Sequence, residues 1–80
     1  MSDFGWLAAL DAGAWTTSFG DRRCISMTLA EFAARSRCAH PQRVIREFRT
    51  WMFAQQSQHY ALVWTDETDP DDLLLIVASV

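Results

Sequence analysis

Between residues 41 and 55 an apolar residue recurs every three to four positions. Val44, Ile45, Phe48, Trp51 and Met52 share one side of a helical wheel, while Gln42, Arg43, Arg46, Thr50 and Phe53 take the other, with Arg49 at its flank. This spacing predicts an amphipathic helix from Pro41 to about Gln55 whose apolar stripe, Met52 and the aromatics included, is core. Pro41 suits the first helical position and pushes His40 out of α geometry, so a preceding helix must stop near Ala39. That helix begins at Thr28: its hydroxyl, with Glu31 three residues on, has the capping-box pattern that satisfies orphaned N–H groups at a helix start. Leu29, Phe32, Ala33 and Ser36 then share the face turned to the core.

The remaining elements are less regular. Residues 3 to 15, "DFGWLAALDAGAW", read as a first helix with Ser2 or Asp3 as N-cap. Phe4, Trp6, Leu7, Leu10 and Trp15 spread around most of its circumference, and a helix apolar on most sides needs burial or a partner. Burial, a partner and homodimerisation through this helix all stay open. "TTSFGDR", 16 to 22, reads as a loop with a Gly-Asp turn, and "RCISM", 23 to 27, alternates as a short strand. "HYALVWTD", 59 to 66, and the tail "LLLIVASV" make two strands of a hairpin joined by the acidic "ETDPDD". A short terminal helix competes, with Asp69 as N-cap, Pro70 at N1 and Asp72 at N3. The hairpin is preferred because the tail holds three β-branched residues and is short for a stable helix. With no repeat or linker, residues 1 to 80 form one α+β domain.

Half of the residues are hydrophobic, enough for a core and against disorder. The N-terminus lacks the basic start of a signal peptide and no run of 18 apolar residues occurs, so a cytoplasmic protein with no membrane span is expected. Cys24 and Cys38, fourteen apart and without a CxxC pair, read as reduced thiols rather than zinc ligands. His40 and His59 have no Cys or carboxylate at catalytic spacing. "DETDPDD" lacks the glycine and the terminal glutamate of an EF-hand loop, and three glycines build no phosphate cradle. Neither an enzyme nor a metal or cofactor site is expected.

Charge changes the picture. All seven basic residues are arginines between Arg22 and Arg49, against two glutamates, so this segment is +5; residues 1 to 21 hold three aspartates and residues 50 to 80 hold five acids. The overall −3 hides a segregated chain. A coding bias could account for the missing lysine, but arginine's planar fork also suits phosphate, guanine and carboxylate.

The order helix, strand, helix, tight turn, helix, strand, loop, strand, together with "MTLAEFAARSRCAHPQRVIREFRTWM" at 27 to 52, resembles the winged helix-turn-helix family. That resemblance implies three helices, a small antiparallel sheet and a C-terminal β-hairpin, with the helix from Pro41 as recognition helix and residues 60 to 80 as wing. It departs from the family in lacking a glycine between the helices and in its acidic wing. A DNA-binding, transcription-regulating protein would use Arg43 and Arg46 on guanine edges, Gln42 on adenine, Arg49 on phosphate, and Arg22, Arg23 and Arg35 as a further phosphate track. The alternative is a protein-interaction module. Here Asp66, Glu67, Asp69, Asp71 and Asp72 imitate a phosphate backbone toward a basic partner, or the arginines meet an acidic one, with Phe53 and Trp6 as outward anchors. In composition the chain resembles small phage or plasmid inhibitors of host machinery, such as anti-CRISPR proteins. The bland alternative for the arginines is a solvated helix face.

Overall fold

Period-two alternation selects the strands and their inward sides. The structure, a computed structural model, describes residues 2–10, 12–15, 17–19, 22–54 and 60–79. Four strands, Thr17–Phe19 (β1), Arg22–Thr28 (β2), Tyr60–Val63 (β3) and Leu73–Ser79 (β4), form one antiparallel sheet in the order β1-β2-β4-β3. β2 and β4 pair along their whole length, from Arg22 opposite Ser79 to Thr28 opposite Leu73, and β3 adds Tyr60 opposite Ala78 through Val63 opposite Leu75. Ile25, Met27, Leu74 and Ile76 thereby enter the core from the two central strands, with Tyr60 and Leu62 packed beside them from β3.

Two α-helices, Leu29–Arg35 (α1) and Val44–Ala54 (α2), cover that inner side, α2 being entered through a 3-10 turn at Pro41–Arg43. Leu29, Phe32, Ala33 and Ser36 of the first are all buried, as are Val44, Ile45 and Phe48 of the second. The first three N–H groups of α1 are satisfied. Leu29 donates to the carbonyl of Asp72, Ala30 to that of Pro70, and Glu31 to the Thr28 hydroxyl. The β3–β4 loop is thus the lid of this helix. The carboxylate half of the expected capping box goes elsewhere, for Glu31 accepts from Arg35 at 3.0 Å.

The turn between the helices dispenses with glycine. Cys38 N–H donates to Ala33 O and Arg37 N–H to Ala34 O, the paired bonds of a Schellman motif, and Arg37 takes the left-handed position at φ 57°. His40 is extended ahead of Pro41, as the proline demands.

The three-helix winged helix-turn-helix reading is corrected: the fold is α+β with an antiparallel sheet, but it has two α-helices. Residues 3–15 contain 3-10 turns at Gly5–Leu7 and Ala12–Ala14 in place of a first helix. The physical reason lies in the apolar residues spread around that wheel. No single helical face could bury them, whereas an irregular segment seats Phe4 and Leu7 in the core and aims the Trp6 indole N–H at Ser36 Oγ, 3.0 Å away. Asp3 N–H donates to Ser36 O at 2.7 Å, which pins the segment to the end of α1, and Asp3 accepts from Gly5 instead of capping a helix. Of the five apolar residues expected to need burial or a partner, Phe4 and Leu7 are buried, while Trp6, Leu10 and Trp15 are half-buried against the core. A second correction concerns 16–22, read as loop, where β1 forms; the Gly20-Asp21 turn lies outside the described residues. The terminal helix is likewise displaced by β4.

A left-handed backbone disfavours any residue with a Cβ, so Arg37→Gly is expected to raise the unfolding free energy by about 1 kcal/mol in urea titrations. An unchanged or lower midpoint would show that the Arg37 side chain contributes more than its backbone costs.

Candidate nucleic-acid interface

α2 is held by its inner face, and this sets what its outer face presents. Phe48 lies in ring contact with Phe4 (5.1 Å between centroids), Phe32 (5.7 Å), Trp51 (5.7 Å) and Tyr60 (6.2 Å), so the N-terminal segment, α1 and the sheet all grip one residue of α2. Opposite them Arg46, Arg49, Thr50 and Phe53, all exposed, fall within an arc of about 100° at helical spacing. Gln42 and Arg43, also exposed, continue that surface from the 3-10 turn.

The electrostatics follow from where the acids go. Glu47, the acid of α2, sits beside this arc yet is tied away from it: its Oε2 accepts from Ser2 Oγ at 2.6 Å and from Cys38 Sγ at 2.7 Å. The Cys38 hydrogen bond, then that of Ser2, holds the Glu47 carboxyl below the usual glutamate range, with Arg43 a smaller contributor. Burial, and then the Glu47 carboxylate, push the Cys38 thiol up, so it stays a protonated donor. Among the described residues, Arg43, Arg46 and Arg49 have no carboxylate within ion-pair distance. Arg49 lies over the Trp64 ring, 4.9 Å from its centroid, a contact that orients the guanidinium without neutralising it. Hollows border the arc on both sides: one of about 360 Å³ between Ser2, Arg46 and Trp51, another of about 280 Å³ between Arg49, Met52 and Trp64.

The other expected arginines separate from this group. Arg35 is engaged by Glu31 and stacks over Trp6 at 5.6 Å. Arg22 and Arg23 open β2, at the end of the sheet remote from the β3–β4 loop. Arg37, exposed in the turn that leads to α2, was not singled out from sequence, and its only local signal is the missing glycine.

The five acids of the loop are not equivalent. Asp72 Oδ2 accepts from Thr65 N–H and Asp66 N–H at 2.8 Å each; Asp66 Oδ1 accepts from the N–H and hydroxyl of Thr68; Asp69 Oδ1 accepts from Asp71 N–H. The Thr68 bonds also hold the Asp66 carboxyl below its ordinary range. Three carboxylates therefore close the loop's own backbone, and Glu67 and Asp71 are left projecting. Of the expected hydrophobic anchors, Phe53 is 87 % exposed, whereas Trp6 is half-buried with its N–H occupied. Among the described residues no cluster of three His, Cys, Asp or Glu could hold a metal, and no helix is long and apolar enough to cross a membrane.

No protein-family model matches the chain, and no curated protein or solved structure is similar to it.

A carboxyl lowered by folding stabilises above its unfolded pKa, about 4.3 for glutamate, and that contribution is lost as pH falls through the lower folded value. Glu47→Gln is therefore expected to destabilise the protein at pH 7 and to be closer to neutral near pH 3, as read by urea unfolding of both proteins at each pH. An equal difference at the two pH values would contradict the role given to the ionised carboxylate.

Proposed function

We propose that the protein binds double-stranded DNA through the outward face of α2, as a small regulatory protein. The observation that carries this reading is the fate of the charges on that helix. Among the described residues, Arg43 of the entry turn and Arg46 and Arg49 of the helix share one exposed surface without a carboxylate at ion-pair distance, while the helix's own glutamate is drawn off by Ser2 and Cys38. An exposed, unpaired guanidinium keeps its full donor fork for an external anion. From Arg43 to Arg49 the helix rises about 9 Å, and the major groove is roughly 12 Å wide. Arg43 and Arg46 serve guanine edges, Gln42 adenine, and Arg49 phosphate, with Arg37 at the periphery. Glu67 and Asp71, on the β3–β4 loop, repel phosphate and so favour one orientation on the duplex.

The phosphate-mimic form of the competing protein-interaction reading relies on five acids acting together. It is less well supported because Asp66, Asp69 and Asp72 are already engaged by backbone N–H groups.

Anisotropy of a labelled mixed-sequence duplex, titrated with protein between about 50 and 200 mM salt, tests the proposal; three or more phosphate contacts require a log–log slope of about −3 or steeper. Arg43→Ala and Arg46→Ala are each expected to weaken binding by roughly tenfold or more. Absence of binding at about 50 mM salt, or indifference to both substitutions, overturns the reading.

A further inference from the structure

The outer side of the sheet carries a second, independent surface. Strand alternation sends Ile25, Met27, Leu74 and Ile76 inward, so Cys24, Ser26, Leu73, Leu75 and Val77 face the other way, Cys24 buried and Val77 half-buried, with Ala61 and Val63 beside them on β3. Leu73 is 66 %, Val63 57 % and Leu75 37 % exposed, and Val63 pairs directly with Leu75. Three of the four exposed large hydrophobics of the described structure thus form one contiguous patch. A patch of this kind, continuous and free of charge, marks an interaction surface.

Its ends say what covers it. Arg22, exposed, flanks the patch where β2 begins, and the β3–β4 loop with Glu67 and Asp71 flanks it where β2 ends. Seven paired residues separate the two ends by about 20 Å. A twofold axis lying in the plane of the face and across the strands brings two copies face to face with strands antiparallel. It sets Arg22 of each copy against the acidic loop of the other, twice, while the apolar centres meet. An axis along the strands would instead stack Arg22 on Arg22 and loop on loop. The patch is therefore self-complementary in one twofold arrangement and self-repelling in the other.

We propose that the protein forms a symmetric homodimer through the outer face of its sheet, with strands antiparallel and Arg22 of each copy paired with Glu67 and Asp71 of the other. Strands of three, seven, seven and four residues make a face smaller than about 19 by 20 Å, and two such faces bury less than the roughly 1,200 Å² of standard interfaces. The dimer is consequently at the weak end of specific association. The two α2 surfaces lie on opposite outer sides of the pair, so dimerisation and DNA binding can fail separately.

Sedimentation equilibrium of the full chain from about 5 to 500 μM is the test, a range suited to weak association. The mass is expected to rise from 9.1 kDa toward twice that value. Leu73→Asp and Val63→Lys should each hold it at the monomer value. Arg22→Glu and Asp71→Arg should each weaken association about tenfold, and the double variant Arg22→Glu/Asp71→Arg should recover it. The exposed charge variants decide the matter should a patch variant fail to show a folded circular-dichroism spectrum. A monomer across the whole range assigns the patch to a different occupant and overturns the proposal. A dimer indifferent to the patch substitutions, or one that the double charge swap does not restore, does the same.

Discussion

Phe48 is the residue at which the parts of this molecule meet, and its packing fixes the rotation of α2. Its ring touches Phe4 from the N-terminal segment, Phe32 from α1 and Tyr60 from the sheet, so a turn of the helix about its axis would break all three contacts together. Losing a buried aromatic of this kind costs about 3 to 5 kcal/mol, a large part of the 5 to 15 kcal/mol that holds a typical domain folded. The outward direction of Arg46, Arg49 and Phe53 is the other side of the same constraint. What faces solvent is set by what the aromatic nest takes in.

The charges then divide by use. Acids of the β3–β4 loop serve the fold: Asp72, Asp66 and Asp69 close the loop, and the carbonyls of Pro70 and Asp72 complete the start of α1. Glu47 serves the fold as well, fastening Ser2 and Cys38 to α2. Among the described residues, Arg46 and Arg49 of α2 form no ion pair, Arg49 resting on the Trp64 ring. Like charges three residues apart on a helix cost a few tenths of a kcal/mol per pair, and an external anion relieves that cost.

Local rules were readable in the sequence, and distant ones were not. The Thr28 cap and the shared face of Leu29, Phe32, Ala33 and Ser36 need only neighbours within a few residues, and both are present. The hairpin of β3 and β4 was legible from β-branched density. Residues 3–15 misled because Trp6 finds its partner 30 residues away at Ser36, and helical periodicity carries no record of that. β1 was missed because three residues give alternation too little length. Nothing local to Glu47 announces its tie to Ser2, which spans 45 positions. The arginine surface of α2 was anticipated, but the departure of Arg35 into a pair with Glu31 and a stack on Trp6 was not.

The central claim is that one face of α2 is the place where the protein meets an anionic polymer. Amide chemical shifts of isotopically labelled protein, followed while a short duplex is added, test it most directly. The account predicts shifts concentrated on Gln42, Arg43, Arg46, Arg49, Thr50 and Phe53, with the amides of Asp69 to Leu75 unmoved. Shifts centred on β3, β4 and their loop, with α2 silent, would contradict it.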